Sequence, residues 1–189
     1  MEAQSILFVC TGNICRSPMA LGFAQSIAAK CRLPISLSSA GLLSSGNAAT
    51  EEAVKVMAEQ DIDISPHIST TLDVALSRGP NFVIAMANAH LNETISRDPS
   101  LRPRTFTLKD FVRRARAMGQ RDGPMEGYLS ALGRGRSLSE MASALASDDD
   151  IEDPFGGPMS QYRECAIEIR SLVEDMIEHL YPRHGSLLR

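Results

Sequence analysis

Ser5-Ile-Leu-Phe-Val-Cys-Thr-Gly-Asn-Ile-Cys-Arg-Ser-Pro18 is the stretch on which the fold turns. Its first five residues form a short apolar, β-rich run of the kind that makes a buried strand. The run breaks into a polar loop, Cys10–Ser17. Pro18 then suits the first turn of a helix, with Ser17 as candidate N-cap. Met19, Phe23 and Ile27 recur at helical spacing through about Cys31. Outward from this unit, strand-like and helix-like segments alternate. Ile35–Ser39 reads as a second strand, and Thr50 with Glu51-Glu52 starts a helix to about Gln60. Phe82–Met86 reads as a third strand, Asn88–Ser96 as a helix, Thr105–Thr107 as a fourth strand, and Lys109–Met118 as a helix. Gly119–Gly135 is rich in glycine and reads as linker. Leu138–Ala146 reads as a short helix, Asp148–Pro158 as an acidic loop, and Met159–Tyr181 as the longest helix; the tail after Pro182 is expected to fray. Alternation of this kind implies βαβ units. The expected fold is α/β, three layers with a central four-stranded parallel sheet covered by helices on both faces. Ligand sites in such sheets lie beyond the carboxyl ends of the strands, which is where Cys10–Ser17 falls.

The 189 residues suggest one domain, and 43% hydrophobic with 22% charged residues is an ordinary globular composition. No apolar run approaches the ~20 residues of a membrane span. Ser5–Val9 is too short for a signal peptide and has no basic residue before it. A cytoplasmic protein without a membrane partner is expected. A net charge of −4 argues against a globally basic nucleic-acid binder. Four cysteines in a chain this long do not make a disulfide framework.

The loop has a definite physical task. Backbone N–H groups at a strand-to-helix junction point into one concavity, and the helix dipole adds positive charge there. Gly12 and Asn13 tolerate the backbone angles that an anion cradle requires. Arg16 offers a planar fork matched to two phosphate oxygens. Cys10 at the base of the loop faces the N–H groups, which favour its thiolate. The loop Thr11, Gly12, Asn13, Ile14, Cys15, Arg16 and Ser17 therefore reads as a phosphate-binding loop (P-loop) around a nucleophile, holding inorganic phosphate or a similar oxyanion. The competing reading makes Cys10 a packed thiol and Arg16 an ion-pair partner at the helix start. The four histidines show no metal-ligand spacing, so neither a metal nor another cofactor is expected.

Phe8-Val-Cys-Thr-Gly-Asn-Ile-Cys-Arg-Ser-Pro18 resembles the active-site signature of the low-molecular-weight protein tyrosine phosphatases. The resemblance continues through Ser39-Ala-Gly41, Asp61-Ile-Asp-Ile-Ser-Pro-His67 and Asp153-Pro-Phe-Gly-Gly157. It covers most of the chain except a segment near 111–147, which reads as an insertion within a single domain spanning 1–189. The resemblance implies that Cys10 is the nucleophile and forms a phosphocysteine. It implies that Arg16 binds the phosphoryl group and that Ser17 hydrogen-bonds the sulfur. Asn13 would hold the loop through Ser17, Ser39 and His67. Asp153 would protonate the leaving phenolate and then activate water. Residue type alone does not single out Asp153 from Asp148, Asp149, Asp150 and Glu152, although Pro154 and Gly156-Gly157 suit a loop that approaches a pocket. The family pattern also favours a reversible disulfide between Cys10 and Cys15.

The resemblance extends to relatives with other substrates. Arsenate reductases of this fold need two further cysteines after the third strand, and Asn81–Lys109 has none. Protein-arginine phosphatases share Thr11 but carry Thr where this chain has Ile14. Ile is bulkier and apolar at the pocket wall, which suits an aryl phosphate. A phosphotyrosine-containing protein is therefore the expected substrate, phosphoarginine the alternative, and a non-catalytic phosphoprotein-binding module the rival of another class. Phe155 would stack on the substrate ring. The opposite wall around Leu43 lacks the aromatic residue that some relatives place there. Asn88 stands near where relatives carry Asp, and it is expected to cap the following helix. Arg102–Arg136 holds nine Lys/Arg against three Asp/Glu. It reads as a solvated amphipathic helix and loop, or as a patch that steers anions toward the Asp153 loop.

Overall fold

The computed structural model describes residues 4–43, 45–134 and 149–182. Strand β1 (Gln4–Cys10) lies between β2 (Ile35–Gly41) and β3 (Phe82–Ala85), and β4 (Thr105–Thr107) lies outside β3. All three pairings are parallel, in the order β2-β1-β3-β4. Cys10 is thus in register with Gly41, and Val9 with both Ala40 and Ala85, at the carboxyl edge of the sheet. Parallel neighbours require crossovers. The helices are α1 (Arg16–Cys31), α2 (Glu51–Ala58), α3 (Leu72–Leu76), α4 (Asn88–Arg97), α5 (Leu108–Met118), α6 (Met125–Gly133) and α7 (Met159–Leu180), with a 3-10 turn at Pro99–Arg104.

The two-residue period of a strand sorts β1 between two cores. Ile6 and Phe8 pack in one with Met19 and Phe23 of α1, Phe111 of α5 and Ile169 and Val173 of α7. Leu7 and Val9 pack in the other with Ala40, Leu72 and Ala75 of α3, Val83 and Leu101. All four β1 side chains are fully buried, each contributing about 1.5–3 kcal/mol relative to exposure. This is the expected three-layer α/β/α architecture, and it fixes Cys10 at the top of the central strand. No helix among the described residues is long and apolar enough to cross a membrane.

Several local expectations are corrected. Helix α1 begins at Arg16, with Cys15 in the N-cap position and no side-chain cap bond. Ser17 lies inside the first turn, and its hydroxyl faces the Cys10 sulfur rather than capping the helix. Asn88 does not cap α4; Ala87 holds that position. The backbone N–H and side-chain amide of Asn88 instead donate to Asp150 Oδ1 at 2.7 and 2.9 Å, so a carboxylate from the acidic loop serves this helix start. The linker expected at 119–135 contains α6, whose Met125, Tyr128, Leu129 and Leu132 join the main core. Helix α3 and the 3-10 turn were not anticipated. The short helix expected at Leu138–Ala146 and the tail from residue 183 lie outside the described residues.

The basic residues of α5 are engaged. Lys109 pairs with Glu168, Arg113 with Asp110 and Asp149, Arg114 with Asp110, and Arg116 with Asp175. They tie α5 to the acidic loop and to α7, so this part of the basic segment is not a field of unpaired positive charge.

Candidate active site

Cys10 ends β1 and is 2% exposed. Its Sγ lies 3.0 Å from Ser17 Oγ and 3.2 Å from the Asn13 backbone N, which donates to it. Asn13 adopts a left-handed conformation, φ 54°, which Asn tolerates better than most residues. Every polar group of Asn13 is used. Its Nδ2 donates to Ser17 Oγ and Ser39 Oγ at 2.8 and 2.9 Å, its Oδ1 accepts from Thr70 N at 2.9 Å, and its carbonyl accepts from His67 Nε2 at 2.8 Å. Burial pulls the His67 ring below its ordinary value against that hydrogen bond, so the ring is neutral with its proton on Nε2. Loop geometry is thus fixed from β2 and from the 67–70 segment, not by the loop alone.

Arg16 is 5% exposed. Its Nη1 donates to the Ile151 carbonyl at 3.0 Å, and its Nη2 contacts Thr11 Oγ1 at 3.3 Å and forms an ion pair with Asp153. Its Nε is buried without a partner. A buried guanidinium N–H left unpaired is costly unless a ligand uses it. No side chain caps α1 either, so the donors of its first turn remain for an anion.

The acidic run is sorted by its partners. Asp149 accepts from Arg113, Asp150 serves the start of α4, and Asp153 meets Arg16. Ile151 N–H also donates to the Met86 carbonyl at 2.8 Å. The loop is therefore latched to the carboxyl edge of the sheet two residues before Asp153. Pro154 and a turn closed by Gly157 N–H to the Pro154 carbonyl follow. Phe155 and Leu43 are 64% and 58% exposed. A cleft lined by Glu152, Glu164 and Glu168, among others, opens beside Asp153 and does not include Cys10.

Cys15 turns toward α2 and α7. Its Sγ lies 3.4 Å from Thr50 Oγ1 and 3.8 Å from Tyr162 OH, and burial pushes its thiol up. All four cysteines are free thiols. Gly12 and Ile14 complete the loop, with the Ile14 carbonyl accepting from Thr50 N at 2.9 Å. Sequence reasoning missed Thr50 and Tyr162 beside Cys15, and His90 beside Thr11. No local spacing signals these partners.

A cysteine sulfur that accepts a backbone N–H and faces a hydroxyl, in one loop with a buried arginine paired to a carboxylate, is equipped for phosphoryl transfer. The model of the low molecular weight phosphotyrosine protein phosphatases matches residues 5–128. The chain belongs to that family. The phosphatase is 31% identical to a protein-arginine-phosphatase of Bacillus subtilis over 178 residues, 94% of this chain and 97% of that one. It is 39% identical over 109 residues to a probable low molecular weight protein-tyrosine-phosphatase of Ralstonia solanacearum, 57% of this chain and 72% of that one. Among solved structures, the low molecular weight protein tyrosine phosphatase from T. tengcongensis superposes with a TM-score of 0.72 at 30% identity, covering 94% of this chain and 100% of that one. The phosphatase is accordingly a hydrolase by family.

Proposed function

We propose that this phosphatase hydrolyses phosphotyrosine in proteins through a phosphocysteine. The reading rests on one convergence: Cys10 Sγ beneath the Asn13 N–H and the Ser17 hydroxyl, with Arg16 Nε unpaired and Asp153 beside the same guanidinium. Cys10 attacks phosphorus in line with the ester oxygen. Arg16 and the backbone N–H groups hold the equatorial oxygens, whose charge must be stabilised in the transition state. The phosphoryl group displaces Asp153 from Arg16, and the freed carboxylate takes up the proton that Cys10 loses on becoming the nucleophilic thiolate and passes it to the departing phenolate. In the second step Asp153 takes a proton from water as it attacks phosphorus, and Ser17 donates to the sulfur as the S–P bond breaks. Asn13, Ser39 and His67 hold the loop in the shape these steps need.

Ile14 supports the aryl substrate, since an apolar wall offers nothing to a guanidinium N–H. The 31% identity to a protein-arginine-phosphatase over nearly the whole chain supports phosphoarginine as the second reading. Phosphate release from phosphotyrosine, phosphoarginine and phosphoserine peptides, measured side by side, decides between them. Phosphotyrosine is expected to be fastest, with Cys10→Ser inert and Ile14→Thr moving the ratio toward phosphoarginine. A wild type fastest on phosphoarginine assigns the second reading, and one inert on every substrate makes the chain a binding module. Asp153→Asn should slow phenyl phosphate by about 10²-fold or more and p-nitrophenyl phosphate less, because the better leaving group needs little protonation.

We further propose Cys10 and Cys15 as a reversible disulfide pair that spares Cys10 from deeper oxidation. Peroxide inactivation should then be reversed by dithiothreitol in the wild type and much less in Cys15→Ser. Equal recovery in both would remove the pair from consideration.

A further inference from the structure

His90 takes no part in the phosphoryl-transfer steps, yet it touches the loop that performs them. It stands in the first turn of α4 and is 3% exposed. Its Nε2 lies 2.9 Å from Thr11 Oγ1, which in turn lies 3.3 Å from Arg16 Nη2. Its Nδ1 is buried and has no hydrogen-bond partner.

Proton accounting fixes the first link of this chain. A guanidinium only donates, so the Thr11 oxygen accepts from Arg16. A hydroxyl oxygen has two lone pairs, so His90 Nε2 completes the link either by accepting the Thr11 proton or, in the tautomer that leaves Nδ1 without a proton, by donating to the same oxygen. The charged groups facing the ring are Arg16 from α1 and Asp150 and Asp153 from the acidic loop. Burial and Arg16 outweigh the two carboxylates and pull His90 down to about 4, so the neutral ring holds at working pH. The relay Arg16 to Thr11 to His90 therefore anchors one arm of the guanidinium to α4. The Ile151 carbonyl anchors the other. When Asp153 turns to the ester oxygen, these two contacts remain to hold the fork.

We infer that His90 is a positioning residue of this phosphatase, setting through Thr11 the orientation in which Arg16 meets the phosphoryl oxygens. The inference rests on the reading of Arg16 as the phosphoryl-binding group. An orientation loosened at such a group costs on the order of 10- to 100-fold.

The test uses the full chain, with inorganic phosphate and vanadate as probes and p-nitrophenyl phosphate as substrate. His90→Leu should raise both inhibition constants and lower kcat/KM by about 10- to 100-fold. His90→Gln, whose amide can serve Thr11 as acceptor or as donor, should recover most of the loss. Thr11→Val should add less than about twofold on top of His90→Leu, as expected for two residues acting in one link. Wild-type constants in a folded His90→Leu, no recovery by Gln, or full multiplicativity with Thr11→Val would overturn the inference. Should His90→Leu fail to fold, Thr11→Ser against Thr11→Val carries the test: Ser keeps the hydroxyl link and should match wild type, Val should not, and equality of the two overturns the link. A wild type that neither turns over substrate nor binds vanadate would instead sink the functional reading itself.

Discussion

A methyl group on residue 41 would collide with the Cys10–Ser17 loop itself. A Cβ on Gly41 would stand 2.8 Å from Asn13 N and Thr11 O and 2.9 Å from Gly12 C, all backbone atoms with no rotamer to yield. The following residue donates to the Thr11 carbonyl at 2.8 Å, so strand and loop cannot simply part. Gly41→Ala is expected to cost about 1–3 kcal/mol in stability and to depress p-nitrophenyl phosphate turnover in protein that is still folded. Urea denaturation beside steady-state kinetics checks this, and a variant as stable and active as wild type would contradict the contact. The contrast with the rest of the site is instructive. Cys10, Asn13, Arg16 and Ser17 are legible in sequence because strand, loop and helix start follow one another within fourteen residues, Ser5 to Pro18. Thr11 and His90 stand 79 positions apart and Cys15 and Tyr162 147, so only the packed sheet brings them together. Asp153 differs from its acidic neighbours in partner, not in residue type.

At the scale of elements, α5 acts as a strut for the acidic loop. Arg113 reaches Asp149 at 2.6 and 3.1 Å and Asp110 at 2.5 Å, while Lys109 donates to the Asp150 carbonyl at 2.8 Å. The Arg113 side chain is 60% exposed and that of Asp149 10%, so water screens the pair in part and the net worth is about 1 kcal/mol. Arg113→Ala should destabilise by about that amount, with the difference shrinking at high salt. It should also slow a poor leaving group more than a good one, because Asp153, the proposed general acid four residues on, loses part of its mooring. A salt-independent difference in urea midpoint would assign the effect to packing instead. Elements that escaped the sequence share a physical reason. Helix α3 has five residues, too few for a period to show, and Pro99 and Pro103 mask the 3-10 turn. In α6 the spacing of Met125, Tyr128, Leu129 and Leu132 was helical throughout, but Gly127 and Gly133 read as breakers. Gly133 is instead a contact point, since a Cβ there would run into the Pro103 carbonyl.

Across the whole molecule, burying two neutral histidines ties stability to pH. His90 is held down to about 4 from an ordinary 6.5, chiefly by burial, and His67 is lowered by the same cause. Above pH 6.5 neither form of the chain protonates these rings, and their burial carries no protonation penalty. Between 6.5 and about 4 the unfolded chain takes up a proton at residue 90 that the folded chain refuses, so folding weakens as pH falls. Full displacement over that interval corresponds to about 3 kcal/mol from His90, with His67 adding in the same direction. Urea midpoints of wild type and His90→Gln from pH 8 to pH 4 isolate the contribution, since the carboxylates titrate alike in both. The wild-type curve should fall more steeply below pH 6.5, whatever the offset between the two at pH 8. Parallel curves would mean that the ring takes up its proton in the folded state as readily as in the unfolded one. The ring would then be charged below pH 6.5, where its contact with Thr11 could hold only with Nε2 as the donor.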